Sequence, residues 1–151
     1  MDDVLLSNFI LGIDRSDVPV GRATSAMVGA LGADGYVLLS DYAHTKISFE
    51  HPELTFADYC RIPEILRLGY ACKSARTTPS VDVYYLDTYL PKPRGWHLAI
   101  KTTSKREIYV ATFHLVNLKE LRRTYNRAIR TKTLIQEPKR ELARRISRRA
   151  S

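Results

Sequence analysis

Four histidines, His44, His51, His97 and His114, are the side chains best suited to exchange protons near neutral pH. The means to hold a polyanion is concentrated at one end of the same chain. Residues 117–151 carry twelve Lys/Arg against Glu120, Glu137 and Glu141, a net of +9. The other 116 residues hold twelve basic and thirteen acidic groups. A cationic face of that density attracts phosphate chains by counterion release and long-range steering, so nucleic acid is the first partner to expect. Imidazoles beside a held phosphodiester can do one kind of chemistry without a metal. A 2′-hydroxyl loses a proton, the 5′-oxygen gains one, and cations stabilise the phosphorane charge while the ends stay in line.

Other chemistries find less support. Cys60 and Cys72 form no C-x-x-C pair and no paired histidine ligands accompany them, which disfavours zinc; they read as thiols in a reducing compartment. The GALGADG run at 29–35 fits neither the dinucleotide nor the P-loop pattern, and no cofactor is expected. The acidic start, MDDVLLSNF, lacks the basic and apolar regions of a secretory signal, and no apolar run reaches membrane-spanning length. The expectation is a cytoplasmic protein with no membrane partner.

The elements that must position these side chains follow from periodicity. A short helix over 22–31 and a strand from Tyr36 belong to residues 1–40. Thr55 suits a helix N-cap, with Asp58 three residues on as an imperfect capping box. Phe56, Tyr59, Ile62, Ile65 and Leu66 form an apolar stripe, which Pro63 should break and Gly69 end. The period then changes. Residues 81–88, 96–101 and 107–114 are rich in β-branched and aromatic types and read as an antiparallel meander. Asn117 caps a helix whose apolar face is Leu118, Leu121, Tyr125, Ala128 and Ile129, with Arg122, Arg123, Arg127 and Arg130 around it. A second basic helix near Pro138 has Leu142 and Ile146 as anchors. The organisation expected is an N-terminal helical extension (1–35), an α+β core (36–131) and a basic helical tail (132–151).

Two segments together resemble a known family: LSDYAHTKISFEHPELTFADYCRIPEIL (39–66) and GWHLAIKTTSKREIYVATFHLVNLKELRR (95–123). Their order is a His-Pro-x-Leu helix entry, an IPEIL helix end, a strand ending in Lys, a TF strand and an Arg-Arg helix. It resembles the phage-associated branch of the barnase–EndoU–colicin–RelE-like nucleases over roughly residues 36–127. The resemblance implies helices packed on a four-stranded antiparallel sheet, and metal-independent cleavage of RNA, tRNA among the candidate targets, by a toxin or phage effector. Such a protein would meet an immunity protein, an antitoxin or another phage protein. It also implies site positions at His51, Lys101, Thr112, and Arg122 or Arg123.

Weighed with the chemistry, each position keeps two readings. His51 is a proton-transfer group at an anion-binding helix entry, or a surface capping residue. Alternation puts His97, Ala99 and Lys101 on one strand face, open to substrate if Trp96, Leu98 and Ile100 are core. His97 is then a reserve proton donor, and Lys101 stabilises charge or merely solubilises the sheet. A five-residue turn at 102–106 would pair Lys101 with Glu107 and leave Thr112 on the apolar face. A register change of one residue would instead bring Thr112 onto the same face as Lys101. Tyr109 shares the open face and is the best base-stacking candidate among Tyr84, Tyr85, Tyr89 and Trp96. Adjacent helix residues point about 100° apart, so only one of Arg122 and Arg123 should reach the sheet, the other holding phosphate with Arg127 and Arg130. The alternative function is a non-catalytic RNA- or DNA-binding phage protein using the basic helix and tail.

Overall fold

The computed structural model of the chain describes residues 2–74, 78–88 and 92–147. The elements run α1 (Asp3–Ile10), β1 (Val18–Arg22), α2 (Ser25–Leu31), β2 (Tyr36–Leu39), α3 (Asp41–Glu50), α4 (Phe56–Cys60), α5 (Ile62–Leu68) and β3 (Tyr70–Lys73). They continue β4 (Ser80–Asp87), β5 (Arg94–Thr102), β6 (Ile108–Val116), α6 (Leu118–Thr131), β7 (Leu134–Gln136) and α7 (Arg140–Ser147). Local chemistry explains the helix ends. Thr55 and Asp58 complete both halves of the capping box, so Asp58 is a full member of it. Pro63 lies in the first turn of α5, where a missing N–H costs nothing, and the chain breaks at Arg61 between α4 and α5. Asn117 accepts the Glu120 N–H at 2.8 Å and starts α6.

The chain is an α+β protein, but its sheet is not the four-stranded antiparallel one expected. Among the described residues it has seven strands in the order β1-β2-β6-β5-β4-β3-β7. The antiparallel ribbon β6-β5-β4-β3 is its centre. β2 joins β6 in parallel, β1 pairs with β2, and β7 pairs with β3. The outer strands leave weak signals. β1 is five residues long and contains Pro19 and Gly21, and β7 is three half-buried residues, so neither offers the run of strand formers that marks a strand. The parallel partner β2 has only four residues and lies far from β6 in sequence.

One face of the sheet is sealed. Val81, Val83, Trp96, Leu98, Ile100, Val110 and Phe113 pack with Leu6, Phe9, Met27, Ile47, Tyr59, Ile62 and Leu66 from the first five helices. Residues 2–35 thus carry a strand as well as two helices, and they feed this core. A smaller cluster lies on the opposite face, where Tyr70, Cys72, Tyr84, Leu86 and Val116 meet Leu121 and Ala128 of α6 and Leu142 and Ile146 of α7. The C-terminal residues through 147 are accordingly packed by β7 and α7. This second face is only partly covered, and the candidate site lies on its uncovered part. No helix of the described residues is long and apolar enough to cross a membrane.

Candidate functional site

Cross-strand pairing builds the site in rows. Tyr70 pairs with Tyr84, Tyr84 with His97, and His97 with His114, so one row of rings crosses β3, β4, β5 and β6 on the second face, from beneath the helices at Tyr70 and Tyr84 to the uncovered part at the histidines. Directly opposed residues sit close enough for rings to touch. Tyr70 and Tyr84 stack at 5.1 Å, Tyr84 and His97 at 4.4 Å, and His97 meets His114 edge-on at 4.8 Å. His51 extends the row beyond β6, stacked on His114 at 5.0 Å. Three of the four histidines therefore converge. His44 is elsewhere, packed edge-on between Phe9 and Tyr59.

A β-bulge makes this row possible. From the turn, Thr102 pairs with Ile108 and Lys101 with Tyr109, but the register shifts between Ile100 and Ala99, and Ala99 pairs with Thr112. The extra residue in β6 reverses the facing of everything after it. Thr112 and His114 turn to the open face and Phe113 turns into the core. The pairing of Lys101 with Glu107 is thus replaced by Lys101 with Tyr109, and Thr112 joins Lys101 on one face.

The hydrogen bonds along the row form a chain. Asp82 Oδ1 lies 2.8 Å from His97 Nε2, and His97 Nδ1 lies 2.8 Å from His114 Nε2. His114 Nδ1 lies 3.2 Å from the Leu115 carbonyl. Ser74 donates to Asp82 Oδ2 at 2.5 Å. Burial lowers the His114 pKa and the neighbouring His97 pushes the same way, against smaller upward effects of the Leu115 carbonyl and Glu120. His51 has looser surroundings. Its ring nitrogens lie 3.6 Å from Glu53 and 3.9 Å from Glu50, beyond hydrogen-bond length.

Several expected positions change meaning. His51 is the C-cap of α3, not the entry to a helix; α4 begins after Thr55. A helix C-terminus favours cations, so the anion-binding argument fails there. Successive rows are two residues apart, roughly 6.6 Å along a strand. Thr112 is one row from His97 and His114, and Lys101 is two rows away, roughly 13 Å. Lys101 instead lines a small cleft of about 130 Å³ with Ser40, Lys46, Thr103 and Tyr109. The Tyr109 hydroxyl donates to Asp17 at 2.7 Å, and that bond, first among several causes, pushes its pKa up to about 12.

Neither arginine of the Arg-Arg pair joins the histidine row. Arg122 turns to α7 and donates to the Arg145 carbonyl at 2.9 Å, while Arg123 is exposed near Glu120. Arg127 and Arg130 are exposed. Arg127 walls a cleft of about 440 Å³ shared with Ser74, Asp82, Tyr84, Thr124 and Thr131. Tyr84 is sandwiched between rings, Tyr85 stacks on Trp96, and Trp96 is buried, so none is open to a base. Tyr89, Arg148 and Arg149 lie outside the described residues. Burial pushes the Cys72 thiol up to about 12, which makes it a poor nucleophile. No cluster of three His, Cys, Asp or Glu among the described residues has a metal-binding arrangement.

Sequence reasoning missed His114 and Asp82 as site residues. Both would follow from the correct hairpin register, which pairs His97 with His114 and sets Asp82 diagonally across β4. No family model matches the chain, and neither does any curated protein or solved structure.

Proposed function

We propose that the chain is a metal-independent ribonuclease of the barnase–EndoU–colicin–RelE-like kind, acting in the cytoplasm as a toxin or phage effector. The observation that carries this reading is the convergence of His51, His97 and His114 at one end of an open sheet face that also presents Thr112 and Lys101. An RNA strand laid along β5 and β6 meets Lys101 and Tyr109 first, Thr112 next, and the histidines last. Exposed Arg123, Arg127 and Arg130 add a cationic wall on α6.

His51 is the proton-transfer group, because it alone of the three keeps both ring nitrogens out of short hydrogen bonds. It takes the 2′-hydroxyl proton as the 2′-oxygen bonds to phosphorus. The bond from phosphorus to the 5′-oxygen breaks, that oxygen takes a proton from solvent, and His51 then releases its own. Thr112 orients the phosphate, and Lys101 with Lys46 holds a neighbouring one. The products are a 2′,3′-cyclic phosphate and a 5′-hydroxyl. The test is incubation of purified protein with tRNA and mixed RNA in EDTA, followed by analysis of the ends; cyclic-phosphate ends support the reading.

A second reading is a non-catalytic RNA- or DNA-binding protein. It is favoured by one observation: His97 and His114 use their ring nitrogens within the protein. RNA bound in a salt-sensitive manner and left intact would select it.

A further inference from the structure

We infer that Asp82 and His97 are positioning residues that hold one extra proton in the histidine row, so that His114 stays neutral beneath His51. The row has three hydrogen bonds, between His114 and the Leu115 carbonyl, between His97 and His114, and between His97 and Asp82. Both ends are oxygens that only accept: a backbone carbonyl and a carboxylate. Three bonds between such ends need three N–H groups on the two rings. Two neutral imidazoles supply only two. The row is complete only with one further proton, whose charge the Asp82 carboxylate balances.

Geometry decides which ring carries it. Both rings are half-buried, but His97 touches the carboxylate directly, whereas His114 lies between His97 and His51. Among the described residues, the groups around the row are Tyr84 stacked on His97; Cys72, Lys73, Ser74 and Arg127 on the Asp82 side; and Glu120 from α6 and His51 from the end of α3 on the His114 side. Among them Asp82 is the carboxylate hydrogen-bonded to a ring. His97 therefore bears both N–H groups, donating Nε2–H to Asp82 and Nδ1–H to His114 Nε2. His114 keeps its proton on Nδ1, donating to Leu115. A neutral His114 leaves the stacked His51 free of a like charge against its face, which keeps His51 able to accept a proton. That last consequence rests on the ribonuclease reading; the protonation pattern does not.

Asparagine at position 82 fits a neutral His97, because its amide can donate to a deprotonated Nε2. Imidazole nitrogen NMR at pH 7 tests this without any substrate. In the wild type, His97 should show two protonated nitrogens and His114 a single proton on Nδ1. In Asp82→Asn, His97 should show one. If the reaction is also as proposed, Asp82→Asn should lower kcat about tenfold to a hundredfold with KM little changed, and displace the pH profile. A singly protonated His97 in the wild type would overturn the inference, and that measurement stands even if the variant fails to fold. The expected NMR pattern with no RNA cleavage would sink the ribonuclease reading and leave this one intact.

Discussion

Replacing Asp58 by alanine should cost this protein more than any other single carboxylate substitution. Asp58 is 2% exposed and accepts five hydrogen bonds: Arg94 Nε at 2.6 Å, Arg94 Nη2 at 2.7 Å, Trp96 Nε1 at 3.0 Å, and the Thr55 N–H and hydroxyl at 2.7 and 3.1 Å. Alanine strands the buried indole N–H and the Thr55 N–H, and it leaves Arg94 unpaired. Breaking a buried pair costs about 3–5 kcal/mol. For a chain of this length each kcal/mol moves Tm by roughly 2–4 °C, so a fall of about 6–20 °C is expected. Arg94→Ala should cost less, because the arginine is about one-third exposed and Asp58 keeps its Trp96 and Thr55 donors. The double variant should show coupling of about 1–3 kcal/mol. Urea unfolding of the four proteins gives these values. An Asp58→Ala cost below about 1 kcal/mol, or additive single effects, would mean that the Asp58 network does not hold the fold in this way. The same group predicts acid behaviour. Burial works to raise its pKa, but the Arg94, Thr55 and Trp96 bonds outweigh it and hold the carboxyl below its usual range. Its contribution is complete above the unfolded carboxylate range and is lost as pH falls through the folded value.

Gly69→Ala should destabilise by about 1–3 kcal/mol in urea unfolding, since a Cβ there would lie 2.5 Å from the Tyr84 carbonyl oxygen and 2.7 Å from that of Ile65; a neutral substitution would contradict that packing. Burial lowers the pKa of both His44 and His114. Their contribution should be whole above the unfolded histidine value and decline as pH falls through it toward the folded values; the observable is a drop in Tm between pH 7.5 and 5 that shrinks in His44→Gln. For RNA binding, Arg123→Ala and Arg127→Ala should each reduce the slope of log affinity against log salt by about 0.7 on single strands, while leaving sequence preference alone.

Much of the helical framework was legible in local chemistry. The Thr55–Asp58 and Asn117–Glu120 caps, the helix break just before Pro63 and the anchors Leu142 and Ile146 all act within a few residues of themselves. α3 was not legible, because Ala43 and Ile47 are buried while Tyr42 and Phe49 are exposed, so no apolar stripe marks it. Of the two edge strands, β7 depends on a partner distant in sequence, while β1 is interrupted by Pro19 and Gly21. The site suffered most from one residue. The bulge at Ala111 flips the end of β6, and without it His114 and Thr112 would be assigned to the core and Phe113 to the surface. A period-two reading assumes unbroken pairing and cannot locate such an insertion. Ile129 shows the milder form of the same limit, lying on the apolar face by spacing yet 50% exposed at the rim of α6.

The most direct test of the central claim is single-turnover cleavage of RNA in EDTA by the wild type, His51→Ala and Lys101→Ala. The account predicts cyclic-phosphate products from the wild type, a loss of about 10²–10⁴ in the chemical step for His51→Ala, and weaker binding with a near-normal chemical step for Lys101→Ala. RNA left intact by the wild type, or cut as fast by His51→Ala, would contradict it.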